Sequence, residues 1–274
     1  MFIHKFLLTI CIAAAGLASC QKMERPALVI IPDDTAKLNG PLQRNLWFEN
    51  SAIDSIYYEK GVPTNVTYAD GVHGKAYKGA SNAMMVYGAG SKIGSMTSFT
   101  VAFWINTQKH TGGAQTVFVL GRSSDFWGNM FALIEGNGDA ADNSMLLKFK
   151  FADNWVEFNN NNGVNRLPDM YGKWRHLAFR YDAATSVFSA FLDGNKIALP
   201  AGVANRVKNN QPLGPLEFKD PMKFVIGGFQ QHAGVFSTTV DGWMQRYSGM
   251  LDQFKVYTVA IPDADVTSLF TNKR

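Results

Sequence analysis

The sequence predicts an all-β protein, a two-sheet antiparallel sandwich, on three observations. From Leu46 onward, short alternating or apolar runs are separated by Gly, Asn and Asp, which is the pattern of strands joined by turns. Aromatic residues make up 13% of the 274-residue chain and charged residues only 18%, with 25 glycines to serve the turns. Helical periodicity is almost absent, confined to residues 262–270, where Val266, Leu269 and Phe270 recur at helical spacing.

The elements follow in order. His4 and Lys5 precede an apolar run at 6–17 and then Leu17-Ala18-Ser19-Cys20. A run of about 12 apolar residues is too short for a membrane-spanning helix, which needs roughly 20, and small residues sit where a signal peptidase cuts. Residues 1–19 therefore read as a leader that is removed. The two cysteines are Cys11, inside that leader, and Cys20, so the mature domain has no disulfide. A chain of this size buries enough surface to do without one.

Residues 20–40 read as a linker, because Pro32, Asp33, Asp34, Asn39 and Gly40 suit a tether better than a core. The apolar segment 27–31 could instead pair as a first strand. One domain is expected over 41–274. Within it, residues 98–107 and 116–120 are strands rich in β-branched and aromatic side chains. Residues 147–152 and 155–159 form a hairpin about an Asp153-Asn154 turn, with Phe149 and Phe151 on one face. Residues 174–181 and 187–192 form another across 182–185, and 223–227 and 250–257 are further strands. The helical piece at 262–270 is expected to close the rim of the sandwich. The formal net charge of +4 is too mild to imply nucleic acid or an anionic membrane surface as partner.

Leu-Ala-Ser-Cys resembles the lipobox of bacterial lipoproteins, whose cysteine carries the lipid and becomes the new N-terminus. The resemblance implies a membrane contact through the lipid anchor only, with three acyl chains on Cys20, since stable anchoring needs more than one. Lys22 and Glu24 loosely resemble the residues that follow the cysteine in surface-exported lipoproteins of the Bacteroidetes. The implied location is the cell envelope, at the outer membrane and facing outward, with other envelope proteins as further partners.

Four further segments resemble the laminin-G-like, concanavalin A-like lectin/glucanase jelly rolls. They are Gly71-Val72-His73-Gly74-Lys75-Ala76-Tyr77; Phe99-Thr100-Val101-Ala102-Phe103-Trp104; Trp174-Arg175-His176 with Phe191-Leu192-Asp193-Gly194; and Gly249-Met250-Leu251-Asp252-Gln253-Phe254-Lys255-Val256-Tyr257. Their order and spacing cover the chain from about Leu46 to Phe270. The implied fold is a jelly roll, and the implied function is carbohydrate binding or glucan hydrolysis. The residues themselves read mostly as architecture. Trp104, Trp174 and His176 lie on apolar strands and belong to the framework, and Asp193-Gly194 is a turn needing positive φ.

Glycoside hydrolysis needs two carboxyl groups at a set separation. The Glu-x-Asp-x-x-Glu strand of the retaining glucanases on this fold is missing, the nearest run being Glu217-Phe218-Lys219-Asp220. Only carboxylates distant in sequence, such as Glu135 and Glu157, could meet in space, so catalysis is not expected. No Gly-x-Ser-x-Gly, His-Glu-x-x-His, phosphate-loop or EF-hand pattern occurs. The loop at 137–143 is rich in oxygen atoms yet reads as a plain connection. The family resemblance implies a structural Ca2+ between the first and last strands, held by Glu49 or Asp54 and by Asp252.

Binding remains. A sugar offers flat C–H faces and many hydroxyls, so a lectin site pairs exposed aromatics with polar side chains in loops. Trp127 within Asp125-Phe126-Trp127-Gly128-Asn129, Trp155 beside Asp153 and Asn154, and Trp243 after Asp241-Gly242 are the aromatics so placed. Asn129 and Arg246 are their polar companions. The expected function is capture of a polysaccharide or host glycan. A protein-binding adhesion module and a concanavalin-like hydrolase or lyase are the alternatives.

Overall fold

Alternation along a strand puts every second side chain on one face, and two such apolar faces meet at the centre of this molecule. The computed structural model describes residues 38–273. The leader, Cys20, the segment through residue 37 and the alternative strand at 27–31 lie outside the described residues.

Two large sheets of eight strands each make the sandwich. The first contains β1 (Leu42–Leu46), β3 (Thr67–Asp70), β4 (Lys75–Lys78), β6 (Phe99–Asn106), β11 (Arg175–Asp182), β12 (Val187–Leu192), β13 (Asn195–Lys196) and β18 (Met250–Tyr257). Its order is β13-β12-β11-β6-β18-β4-β3, with β1 also beside β18. The second contains β2 (Val62–Thr64), β5 (Met84–Tyr87), β7 (Ala114–Arg122), β8 (Met130–Glu135), β9 (Leu147–Phe151), β10 (Asn154–Phe158), β16 (Pro221–Ile226) and β17 (Met244–Arg246). Its order is β10-β9-β8-β7-β16-β5-β2, with β17 added parallel to β7. The remaining strand pairs are antiparallel, and neighbours far apart in sequence lie side by side, as in a jelly roll. A small ribbon of β14 (Val207–Lys208) and β15 (Gln211–Pro212) stands apart.

Phe99, Val101, Phe103 and Ile105 of β6 and Leu177, Phe179 and Tyr181 of β11 point inward from the first sheet. Leu147, Phe149 and Phe151 of β9 answer from the second, so that Phe149 stacks on Phe179 at 4.2 Å. The closing strand shows how register is kept. Leu251, Phe254 and Val256 all face inward, a spacing of three and then two that strict alternation forbids. A bulge at Gln253, with φ of 47°, absorbs the extra residue between Asp252 and Lys255. A similar shift between Thr116 and Phe118 in β7 resets the phase there.

Two expectations are corrected. The hairpin between β9 and β10 turns at Ala152 and Asp153, because Asn154 already pairs with Phe151 and Ala152 takes the positive φ of 48°. The helical segment, Asp263–Thr271, does not close a rim. It lies on the outer face of the first sheet, where Val266 packs with Ala102, Ala178 and Phe191. Asp193 and Gly194 do take positive φ, 50° and 75°, in a two-residue turn.

Candidate functional site

The outer face of the second sheet carries its own apolar cluster, separate from the central core. Val119, Phe131, Leu133, Phe229 and Met244 are buried there, with Phe126, Trp127 and Trp155 packed against them. Cross-strand register builds the face in rows. Val119, Phe131, Lys150 and Trp155 stand in one row, and Thr116, Leu133, Lys148 and Glu157 in the next. Glu135, two residues beyond Leu133, shares that face.

The three tryptophans named from their loop contexts meet here. Trp127 lies edge-on to Trp155 at 5.2 Å and tilted towards Trp243 at 5.8 Å. Together with Glu135, Lys148, Glu157 and Leu133 they line one cleft of about 630 Å³, floored at one end by Gly113 and Ala114. Trp127 and Trp155 are half-buried, and Trp243 is 37% exposed. Each indole is thus partly covered by aromatic neighbours and partly exposed where it lines the cleft. The aromatic series continues beyond it through Phe126 to the exposed Phe236, 6.1 Å from Phe126.

Buried polar groups hold this arrangement. The loop bearing Trp127 is tied by Gln230, which accepts a hydrogen bond from Arg122 N–H at 2.7 Å and donates to the carbonyls of Asp125 and Phe126. Gln231 donates to Phe126 O at 2.7 Å. Both glutamines belong to a single 3-10 turn, Gln230–Ala233. From beneath, the Lys150 ammonium donates to Gly128 O and faces the Asp125 carboxylate at 3.7 Å, and burial lowers its pKa. Trp243 is fixed through its own backbone, whose carbonyl accepts from Ala114 N–H at 2.8 Å just before β17 joins β7.

The end of the cleft beside Gly113 and Ala114 is polar, since Glu135 pairs with Ala114. Lys148 Nζ lies 2.6 Å from Glu135 Oε1 and 4.0 Å from Glu157 Oε2. The Asn159 amide donates to Glu157 Oε2 at 2.9 Å. Glu135 and Glu157 were the carboxylates able to meet through the fold, and they do face one cleft. Lys148 was not singled out by the sequence, because only strand register places it between them.

The remaining residues predicted for the site lie elsewhere. Asn129 is buried, donates to Lys219 O at 2.8 Å and accepts from Lys219 N–H at 3.0 Å. It is a clamp between loops, with no face toward the cleft. Arg246 is half-buried on β17 and donates to Asn82 O at 2.6 Å, outside the cleft lining.

The proposed calcium ligands divide as well. Glu49 and Asp252 converge on the Gly71–Lys75 turn: Asp252 accepts from the N–H groups of Val72 at 2.8 Å and His73 at 3.3 Å, and Glu49 from Lys75 N–H at 2.8 Å. Burial raises the Asp252 pKa to about 6, with the Glu49 charge adding to the rise. Cβ atoms at Gly71 and Gly74 would fall 2.3 and 2.2 Å from these carboxylate oxygens. Asp54 instead caps Asn45 N–H at 2.9 Å and Ile56 N–H at 3.2 Å, in the company of Arg44 and Glu59. Ca2+ takes six to eight oxygen ligands, and no cluster of three ligating side chains occurs among the described residues. A pair of carboxylates facing backbone N–H donors does not fit that demand.

His176 is framework, as expected. Burial, with the Lys255 charge second, pushes its pKa down to about 3, so it is a neutral core group and not a base.

The model of the family described as the concanavalin A-like lectin/glucanases superfamily matches residues 79–267. No curated protein matches the sequence. Several solved structures share the fold. Domain 4 of AbnA, a GH43 extracellular arabinanase from Geobacillus stearothermophilus, in complex with arabinotriose, superposes with a TM-score of 0.55 at 20% identity, over 83% of this chain and 97% of that one. A structure of botulinum neurotoxin type C, whose cell entry depends on interaction with two ganglioside molecules, gives 0.56 at 14% identity, over 88% and 53%. The binding domain of Paraclostridial Mosquitocidal Protein 1 gives 0.55 at 15% identity, over 85% and 52%. This chain spans about half the length of the two toxin chains.

Proposed function

The chain belongs to the concanavalin A-like lectin/glucanases superfamily, and from that premise we propose that it is a lectin-like module that captures a polysaccharide or glycan in the tryptophan cleft, without catalysis. The carrying observation is the convergence of Trp127, Trp155 and Trp243 on one cleft whose far wall is Glu135, Lys148 and Glu157. Indole faces take the C–H surface of a sugar ring, and the polar wall takes its hydroxyls. The arabinotriose complex and the ganglioside-dependent toxin, each on the same fold, agree with that use. The lipobox at Leu17-Ala18-Ser19-Cys20 supports a module held by a lipid at the outer membrane of a Bacteroidetes-type cell, facing outward.

Hydrolysis is the second reading, favoured by two carboxylates in one cleft. A carboxyl that protonates a leaving oxygen works best in apolar surroundings, whereas here the Lys148 ammonium lies against Glu135 and reaches toward Glu157. Binding without cleavage fits that charge pattern better. A screen of soluble plant, host and microbial glycans tests the reading. Saturable binding lost in Trp243→Ala or Trp127→Ala is the expected result, and release of shortened products from a bound glycan would favour the hydrolase. Absence of palmitate labelling from the wild-type chain in cells would remove the lipid anchor.

A further inference from the structure

The polar wall of the cleft is ordered as acceptor, donor, acceptor. A carboxylate only accepts hydrogen bonds and an ammonium only donates them. Lys148 lies between Glu135 and Glu157, at 2.6 and 4.0 Å, with all three side chains between about a quarter and two-fifths exposed. Asn159 donates to Glu157 Oε2 at 2.9 Å, the same oxygen that faces Lys148. Trp155 precedes Glu157 by two residues on β10, so one member of the stacking wall and one of the polar row rise from the same face of the same strand.

We infer that Glu135, Lys148 and Glu157 read a vicinal diol of a neutral sugar unit stacked on the tryptophans, and that they turn away units presenting a carboxylate or sulfate at that place. The inference rests on the lectin reading above. A hydroxyl donates once and accepts twice. Two neighbouring hydroxyls can each donate to one glutamate while both accept from Lys148, which leaves no member of the row without a partner. A single hydroxyl meets one carboxylate only and so forfeits one of the two charge-assisted hydrogen bonds that a diol makes. An anionic group cannot donate at all, and it meets two carboxylates against one ammonium, so repulsion adds to the lost hydrogen bonds.

The test uses the full chain solubilised in detergent and titrated calorimetrically with four soluble polymers. Internal units of 1,5-arabinan and 1,4-glucomannan carry a free vicinal diol, those of unbranched 1,3-glucan carry none, and those of polygalacturonate carry a diol on a ring that also bears a carboxylate. The expected result is binding of one or both neutral diol polymers, with 1,3-glucan and polygalacturonate at least tenfold weaker. Glu135→Gln and Glu157→Gln should each weaken the bound polymer about tenfold with unchanged melting curves, and the double variant should narrow the gap to polygalacturonate. Polymer binding that Trp243→Ala abolishes, but that neither glutamate variant changes by more than twofold, would overturn the diol inference and leave the lectin reading standing. Equal affinity for 1,3-glucan would do the same. No binding of any of the four would overturn the diol inference, and the lectin reading falls with it if the wider glycan screen is also blank.

Discussion

The two sheets expose opposite outer faces, and the chain treats them differently. On the first, Asp263–Thr271 lies across Ala102, Ala178 and Phe191, Phe270 stacks on Trp104 at 5.4 Å, and Trp104 is only 3% exposed. On the second, loops bearing Trp127 and Trp243 rise from the sheet and leave a cleft between them. Both faces carry tryptophan against apolar neighbours. What separates a packing residue from a platform is the chain laid over it, a helix in one case and open loops in the other.

The largest expected effect tests the closed face. Trp104→Ala removes a buried indole beneath Phe270 and beside His176, and it should cost about 3–5 kcal/mol in denaturant unfolding. Trp243→Ala should cost far less stability, and equal losses from the two would erase the distinction between the faces.

Acid is the next probe of the same face. His176 has a native pKa of about 3, below its ordinary 6.5, so the unfolded chain binds a proton that the folded one refuses. Stability should therefore fall as pH drops from about 6.5 towards 3, with a limit near 1.4 kcal/mol per unit of pH from this group. Denaturant midpoints measured across that window should show a shallower slope in His176→Leu.

On the open face, Gln230→Ala strips three hydrogen bonds from the Trp127 loop and should cost about 1–3 kcal/mol. It should also weaken glycan binding without touching the ligand, since the loop would lose its fixed position. Trp243→Ala should act on binding instead, lowering affinity tenfold or more while the melting temperature moves little. The smallest effect expected is that of chelation. EDTA should leave the melting temperature unchanged, and a drop of several degrees would restore calcium to the Glu49–Asp252 pair.

The same contrast explains what could be read from the chain. Strand alternation announced the sandwich because a two-sided core demands it, and the longest helix of the described residues was visible in the spacing of Val266, Leu269 and Phe270. The seat of that terminal helix was not legible, since nothing local says which face it covers. Trp127 and Trp243 were legible because turn residues flank them, which marks a side chain at a loop, and Trp155 because it stands at the start of a strand straight after a turn. Lys148 escaped notice because its neighbours Leu133 and Glu157 come to it through cross-strand pairing. Asn129 was misassigned for the related reason that its partner, Lys219, lies 90 residues away. Asp54 and Asp252 shared a plausible pattern as acids near the first and last strands, but backbone N–H groups closer at hand had claim on both.

The pairing of β1 with β18 has a consequence for how such a unit can be combined with others. Leu42 lies opposite Tyr257, so the strand that enters the sandwich and the strand that completes it run side by side. The chain leaves β18 for Asp263–Thr271 on the outer face of that same sheet, so entry and exit both belong to the first sheet and the cleft to the second, which suits splicing into a host loop or reopening at a new position. A permuted chain of that kind, cut within the exposed 234–243 segment, would sever the backbone that carries Trp243 while keeping the strand order, and would separate the making of the sandwich from the making of its cleft.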